Sequence, residues 1–125
     1  MLTPISCSRR WLPTATCCTC PRLFFPRSRR RYARGAGDPD LAREAVSLYR
    51  RWPGVRIAPV DEALGNLAAE VAAEYRIRGC DAVYVALAYA EQAVLITLDH
   101  QQRERTPSSV PARTPAQALA EWSQP

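Results

Sequence analysis

At 125 residues the chain is long enough for one domain with its own core, and no apolar run reaches the roughly 20 residues that a membrane-spanning helix needs. Its net charge of +5 comes from arginine alone, without a single lysine, a bias expected of a GC-rich coding sequence and therefore no mark by itself of a nucleic-acid-binding protein. The charge is also divided: residues 1–37 carry eight Arg and no Asp or Glu, giving +8, whereas residues 38–125 sum to −3.

Cysteine divides the same way, with Cys7, Cys17, Cys18 and Cys20 in the first third and only Cys80 beyond it. Residues 1–37 show neither a helical nor a strand period, and prolines fall at 4, 13, 21 and 26. Order is expected from Gly37 onward. Asp38-Pro39-Asp40 reads as a helix start with a cap and an early proline. Leu41, Ala45, Leu48 and Trp52 recur at helical spacing, and Pro53-Gly54 ends the helix. VRIAPV (55–60) is a short strand candidate in which Pro59 argues against a central place. Asp61 begins a second helix with Leu64, Leu67, Ala68, Val71 and Tyr75 as its buried stripe and Gly79 as its stop. Glu44, Glu62, Glu70 and Glu74 read as solvated helix positions. An all-round apolar helix follows over 81–91, then the strand AVLITL (93–98), a polar loop over 99–109, a last strand near Val110, and a helix over 115–122 capped at Thr114-Pro115. The order α-β-α-α-β-α predicts an α/β sandwich with helices packed on a sheet.

One feature of the apolar stretch asks for chemistry. Asp81 opens the greasy helix and Asp99 closes the strand after it. A ten-residue helix runs about 15 Å and a strand of five or six residues about 17–20 Å. With a tight turn near Gln92 the two lie roughly antiparallel, so Asp81 and Asp99 return to one edge, at the carboxyl end of a strand, where open α/β sheets bind ligands. Two carboxylates held close repel each other, and a divalent cation such as Mg²⁺ or Mn²⁺ removes the conflict. Such an ion activates water and steadies the charge of a phosphodiester under attack. The plainer reading is that Asp81 is a helix N-cap and Asp99 the start of a surface loop. Asp61, at the far end of the preceding helix, reads as an N-cap and not as a third ligand.

The run RGCDAVYVALAYAEQAVLITLD resembles the C-terminal half of a PIN domain, above all the VapC-type toxins of bacterial toxin–antitoxin pairs. Asp81 opening an Ala-rich helix and the triplet Thr97-Leu98-Asp99 match that pattern in type, order and spacing, and VRIAPVDEAL and VPARTPAQALAEW match as well. The resemblance covers residues 37–122. It implies a three-layer α/β/α sandwich with a short parallel sheet and a cytoplasmic Mg²⁺-dependent (or Mn²⁺-dependent) endoribonuclease. It also implies an RNA substrate, a cognate antitoxin, a homodimer and no membrane. Asp81 and Asp99 would be catalytic metal ligands, with Thr97 orienting the site.

The first third departs from the family. The family's first acid ends an N-terminal strand and its second is a Glu on an early helix, yet residues 1–37 contain no acid and no apolar strand. The N-terminal strand is therefore expected to be missing, residues 1–36 to be disordered or out of frame, and residues 37–125 to form an incomplete PIN-like domain. Written with GC-rich codons, RLFFPRSRRRY (22–32) reads one base later as an Ala/Ser-rich segment carrying a Glu near position 27. A zinc site at Cys17-x-x-Cys20 lacks well-spaced partners for four ligands, a disulfide framework lacks anything resembling a secretory signal, and an Arg- and Ser-rich leader also resembles an organellar transit peptide. The expected function is a PIN-like toxin ribonuclease impaired by the loss of two acids. The alternatives are an inactive PIN remnant, or a non-enzymatic RNA-binding module in which Arg29, Arg30 and Arg31, with Tyr32 beside them, grip phosphates and stack a base.

Overall fold

The computed structural model describes residues 5–8, 17–21, 35 and 37–123. Five strands form one sheet: β1 (Ile5–Ser8), β2 (Cys17–Pro21), β3 (Val55–Ala58), β4 (Val94–Ile96) and β5 (Ala112–Arg113), in the order β3-β2-β1-β4-β5. The helices of the described residues from 39 onward are α1 (Pro39–Arg51), α2 (Glu62–Tyr75), α3 (Gly79–Ala90), α4 (His100–Arg105) and α5 (Pro115–Trp122).

Mixed helix and strand with parallel pairing are as the sequence predicts: β2 runs parallel to β3, and β4 parallel to β5. The expected loss of the N-terminal strand is corrected. Ile5–Ser8 stands in the middle of the sheet, antiparallel to both neighbours, with Ile5 opposite Ile96 and Cys7 opposite Cys18 and Val94. Four residues, ISCS, are too few to display a period, and their place is fixed by backbone pairing with distant strands. Antiparallel neighbours need only a short connection, which suits two strands joined through residues 9–16. The expectation for residues 1–36 otherwise concerns segments outside the described residues, except that residues 5–8 and 17–21 are strand.

Helices cover both faces of the sheet. Val55 and Ile57, on one face of β3, pack with Val46 and Tyr49 of α1. Ala58, on the opposite face by the two-residue alternation of a strand, joins the main core with Leu64, Ala68 and Val71 of α2, the buried run 84–88 of α3, and Leu95 of β4. As Pro59 predicts, β3 is an edge strand, and it ends at Ala58.

The caps are local and were legible. Asp38 accepts from the Asp40 and Leu41 amides, Asp61 from the Leu64 amide, and Thr114 forms a full capping box with Gln117. Three expectations change. In α1 the buried residues are Ala42 and Val46, while Leu41, Leu48 and Trp52 face solvent. Gly79 does not stop α2: Arg76 ends that helix in the left-handed region (φ 53°), and Gly79 opens α3. The polar loop after Asp99 begins with the helix α4, which lacks any apolar period because its one buried residue is Gln102. No helix among the described residues is long and apolar enough to cross a membrane.

Candidate functional site

The turn between α3 and β4 sets the geometry. Gln92 takes a left-handed conformation (φ 51°) and the chain reverses into β4. The start of α3 and the end of β4 thereby lie at the same side of the molecule, and Asp81 and Asp99 line one pocket. Ile77, Gln102, Arg78 and Arg105 form part of its wall.

Asp81 is not an N-cap. The helix begins two residues earlier, Arg78 occupies the cap position, and no side chain caps it. Asp81 thus sits in the first turn, half-buried, where the helix dipole favours a negative charge. Asp99 does cap a helix, though not the expected loop: its Oδ1 accepts from the Gln102 amide at 3.0 Å. That engages one of two carboxylate oxygens, and an ionised carboxylate has about four acceptor sites.

Thr97 is 1% exposed, and its hydroxyl accepts the Asp99 N–H at 3.1 Å. The Thr97 N–H donates to the Arg113 carbonyl of β5 at 2.9 Å, and the Thr97 carbonyl accepts from Arg103 at 3.1 Å. The residue carrying Asp99 is therefore pinned to the sheet through its neighbour two positions back.

Gln102 is the residue that the sequence reading missed. It is 4% exposed, and its Nε2 donates to the Asp81 carbonyl at 3.1 Å while its backbone N–H donates to Asp99. One residue thus touches both acid-bearing segments, and its Oε1 is buried without a hydrogen-bond partner. The signal was present as Asp99-x-x-Gln102, the spacing of a capping box. In a completed box the glutamine reaches back to the cap residue's own amide, as Gln117 does to Thr114 at 2.9 Å. Here Thr97 has already taken that amide, and the Gln102 side chain turns toward Asp81.

The residues lining this pocket have the right chemistry for a hard divalent cation: two carboxylates on separate elements, and beside them Gln102, whose amide oxygen is buried without a hydrogen-bond partner. Mg²⁺ is commonly held by one or two carboxylates and keeps several waters. No group of three His, Cys, Asp or Glu able to hold a metal occurs among the described residues. Arg29, Arg30 and Arg31 lie outside the described residues.

The family model for the PIN domain matches residues 9–106. It starts earlier than the resemblance in residues 37–122 and stops before the last strand and helix. No curated protein and no solved structure matches the chain.

Proposed function

Because the chain belongs to the PIN-domain family, whose members are nuclease-like and usually Mg-dependent ribonucleases acting on RNA, we propose that it is a metal-dependent endoribonuclease with its cation at Asp81 and Asp99. The observation that carries this reading is the single pocket onto which both acids open, from elements far apart in any extended chain. A bound divalent cation there supplies a water of lowered pKa and a counter-charge for the phosphodiester.

The protein's own groups do the rest. Thr97, through the Asp99 amide, and Gln102, through the Asp81 carbonyl, hold the two acids in place. Arg78 and Arg105 line the same pocket; Arg105 spends one nitrogen on the Arg76 carbonyl at 2.7 Å and keeps the remainder of its five-donor fork. Guanidinium pairs well with phosphate oxygens, so an RNA backbone is the anion the rim suits. The biological role we propose is that of the toxin of a toxin–antitoxin pair, neutralised by a cognate antitoxin and acting as a homodimer.

The test is cleavage of single-stranded RNA with and without Mg²⁺ or Mn²⁺ by the full chain, Asp81→Asn and Asp99→Asn. Metal-dependent cleavage lost in both variants supports the reading; cleavage that survives both removes it. A second reading, an inactive PIN remnant, is favoured by the lack of a third acid at the pocket among the described residues. It predicts no cleavage by the unaltered chain and no growth arrest when the protein is expressed in a bacterial host.

A further inference from the structure

We propose that Gln102 supplies, through Oε1, a third oxygen ligand to the cation at Asp81 and Asp99, in the place that a third acid would fill. The inference rests on the reading of those two acids as a metal site, and it is carried by a different atom. Gln102 Oε1 is buried and has no hydrogen-bond partner, in a side chain 4% exposed that lines the pocket of both acids. Buried polar atoms nearly always have a partner, and an exception calls for an explanation such as an ion.

The amide is not free to turn. The Asp81 carbonyl accepts only a donor, so Nε2 belongs on that side at 3.1 Å and the oxygen belongs on the other. The backbone is fixed as well, since the Gln102 N–H is held by Asp99 Oδ1 at 3.0 Å and its carbonyl accepts from the Thr106 hydroxyl at 2.6 Å. A carboxamide oxygen is a hard, neutral donor of the kind Mg²⁺ and Mn²⁺ accept. Two carboxylates neutralise a divalent ion, so a neutral third ligand adds coordination without excess charge.

Two functions of one amide must be separated: Nε2 as a donor to Asp81, and Oε1 as a ligand. Gln102→Leu removes both, whereas Gln102→Glu removes the donor and keeps an oxygen. The measurement is Mn²⁺ binding to the full chain, by calorimetry and by water-proton relaxation, for the unaltered protein, Gln102→Leu, Gln102→Glu and Asp81→Asn. A ligand role predicts that Leu weakens Mn²⁺ by about 10- to 100-fold with more water on the bound ion, while Glu binds at least as tightly as Gln. It also predicts that Leu shrinks the rise in unfolding midpoint on adding Mn²⁺. Unchanged Mn²⁺ affinity in Leu, or a loss in Glu equal to that in Leu, overturns the proposal while leaving the Asp81–Asp99 site standing. An unaltered protein that binds Mn²⁺ no better than Asp81→Asn overturns the site and this proposal together. If Leu does not fold by circular dichroism, Gln102→Met, of the same length, carries the same comparison.

Discussion

Asp99 caps α4 and, in the function proposed, also ligates the cation, and substitutions can part the two roles. Asparagine is as good an N-cap as aspartate, so Asp99→Asn should leave the thermal midpoint nearly unchanged and abolish divalent-metal binding. Asp99→Ala should do both, losing the metal and about 1 kcal/mol with the cap, which urea unfolding resolves. Thr97 behaves differently, because its hydroxyl serves the Asp99 amide in a fully enclosed spot. Thr97→Val keeps the shape and strands that N–H, at a cost of about 1–3 kcal/mol, and cleavage should fall further than in Thr97→Ser, which keeps the oxygen. Equal activity and equal stability for Val and Ser would mean that the hydroxyl orients nothing.

At the level of elements, Asp61 makes the control. It caps α2 through the Leu64 amide, and α2 carries it about 20 Å from the helix end that precedes the pocket. Asp61→Ala should cost about 1 kcal/mol and leave Mn²⁺ affinity as it was, in a calorimetric titration; a weakened site would show that a third acid had been misread as a cap. How much of this was legible depends on range. Asp38, Asp61 and Thr114 announce their helices because a cap acts within three residues of itself. The meeting of Asp81 and Asp99 was legible because one helix, one turn and one strand fix it by their lengths. The buried face of α1 was not: Leu41 and Leu48 share a period with Trp52, but Ala42 and Val46 are the buried pair, Val46 against β3, and only the partner strand decides between neighbouring stripes. Likewise α4, written HQQRER, shows no apolar pattern, since what it buries is an amide. Strand β1 escaped notice because its four residues are specified by their partners.

Over the whole molecule, β4 is the strand on which both the core and the site depend. Leu95 is completely buried between its neighbours, and Leu95→Ala should cost about 2–5 kcal/mol, a large part of the roughly 5–15 kcal/mol that holds a domain together. A large fall in the unfolding midpoint, with metal protection lost at temperatures where the unaltered chain keeps it, is the expected result. The arginines at 29–31 are a separate matter of charge. If Arg29, Arg30 and Arg31 each neutralise a phosphate, replacing all three with Ala should flatten the log–log salt dependence of RNA binding by about 2, measured by fluorescence anisotropy; an unchanged slope removes the arm from the RNA interface. The position of β1 has a consequence in time. Ile5–Ser8 leaves the ribosome well before its partner Val94–Ile96, from which it is separated by most of the domain. Contacts of such wide sequence separation form slowly, and an unpaired strand edge left waiting invites association with other chains. During synthesis the middle of the sheet therefore stays open until β4 has emerged, and a ribosome stalled before β4 would carry a nascent chain with neither a closed sheet nor Asp99, one of the two acids of the proposed site.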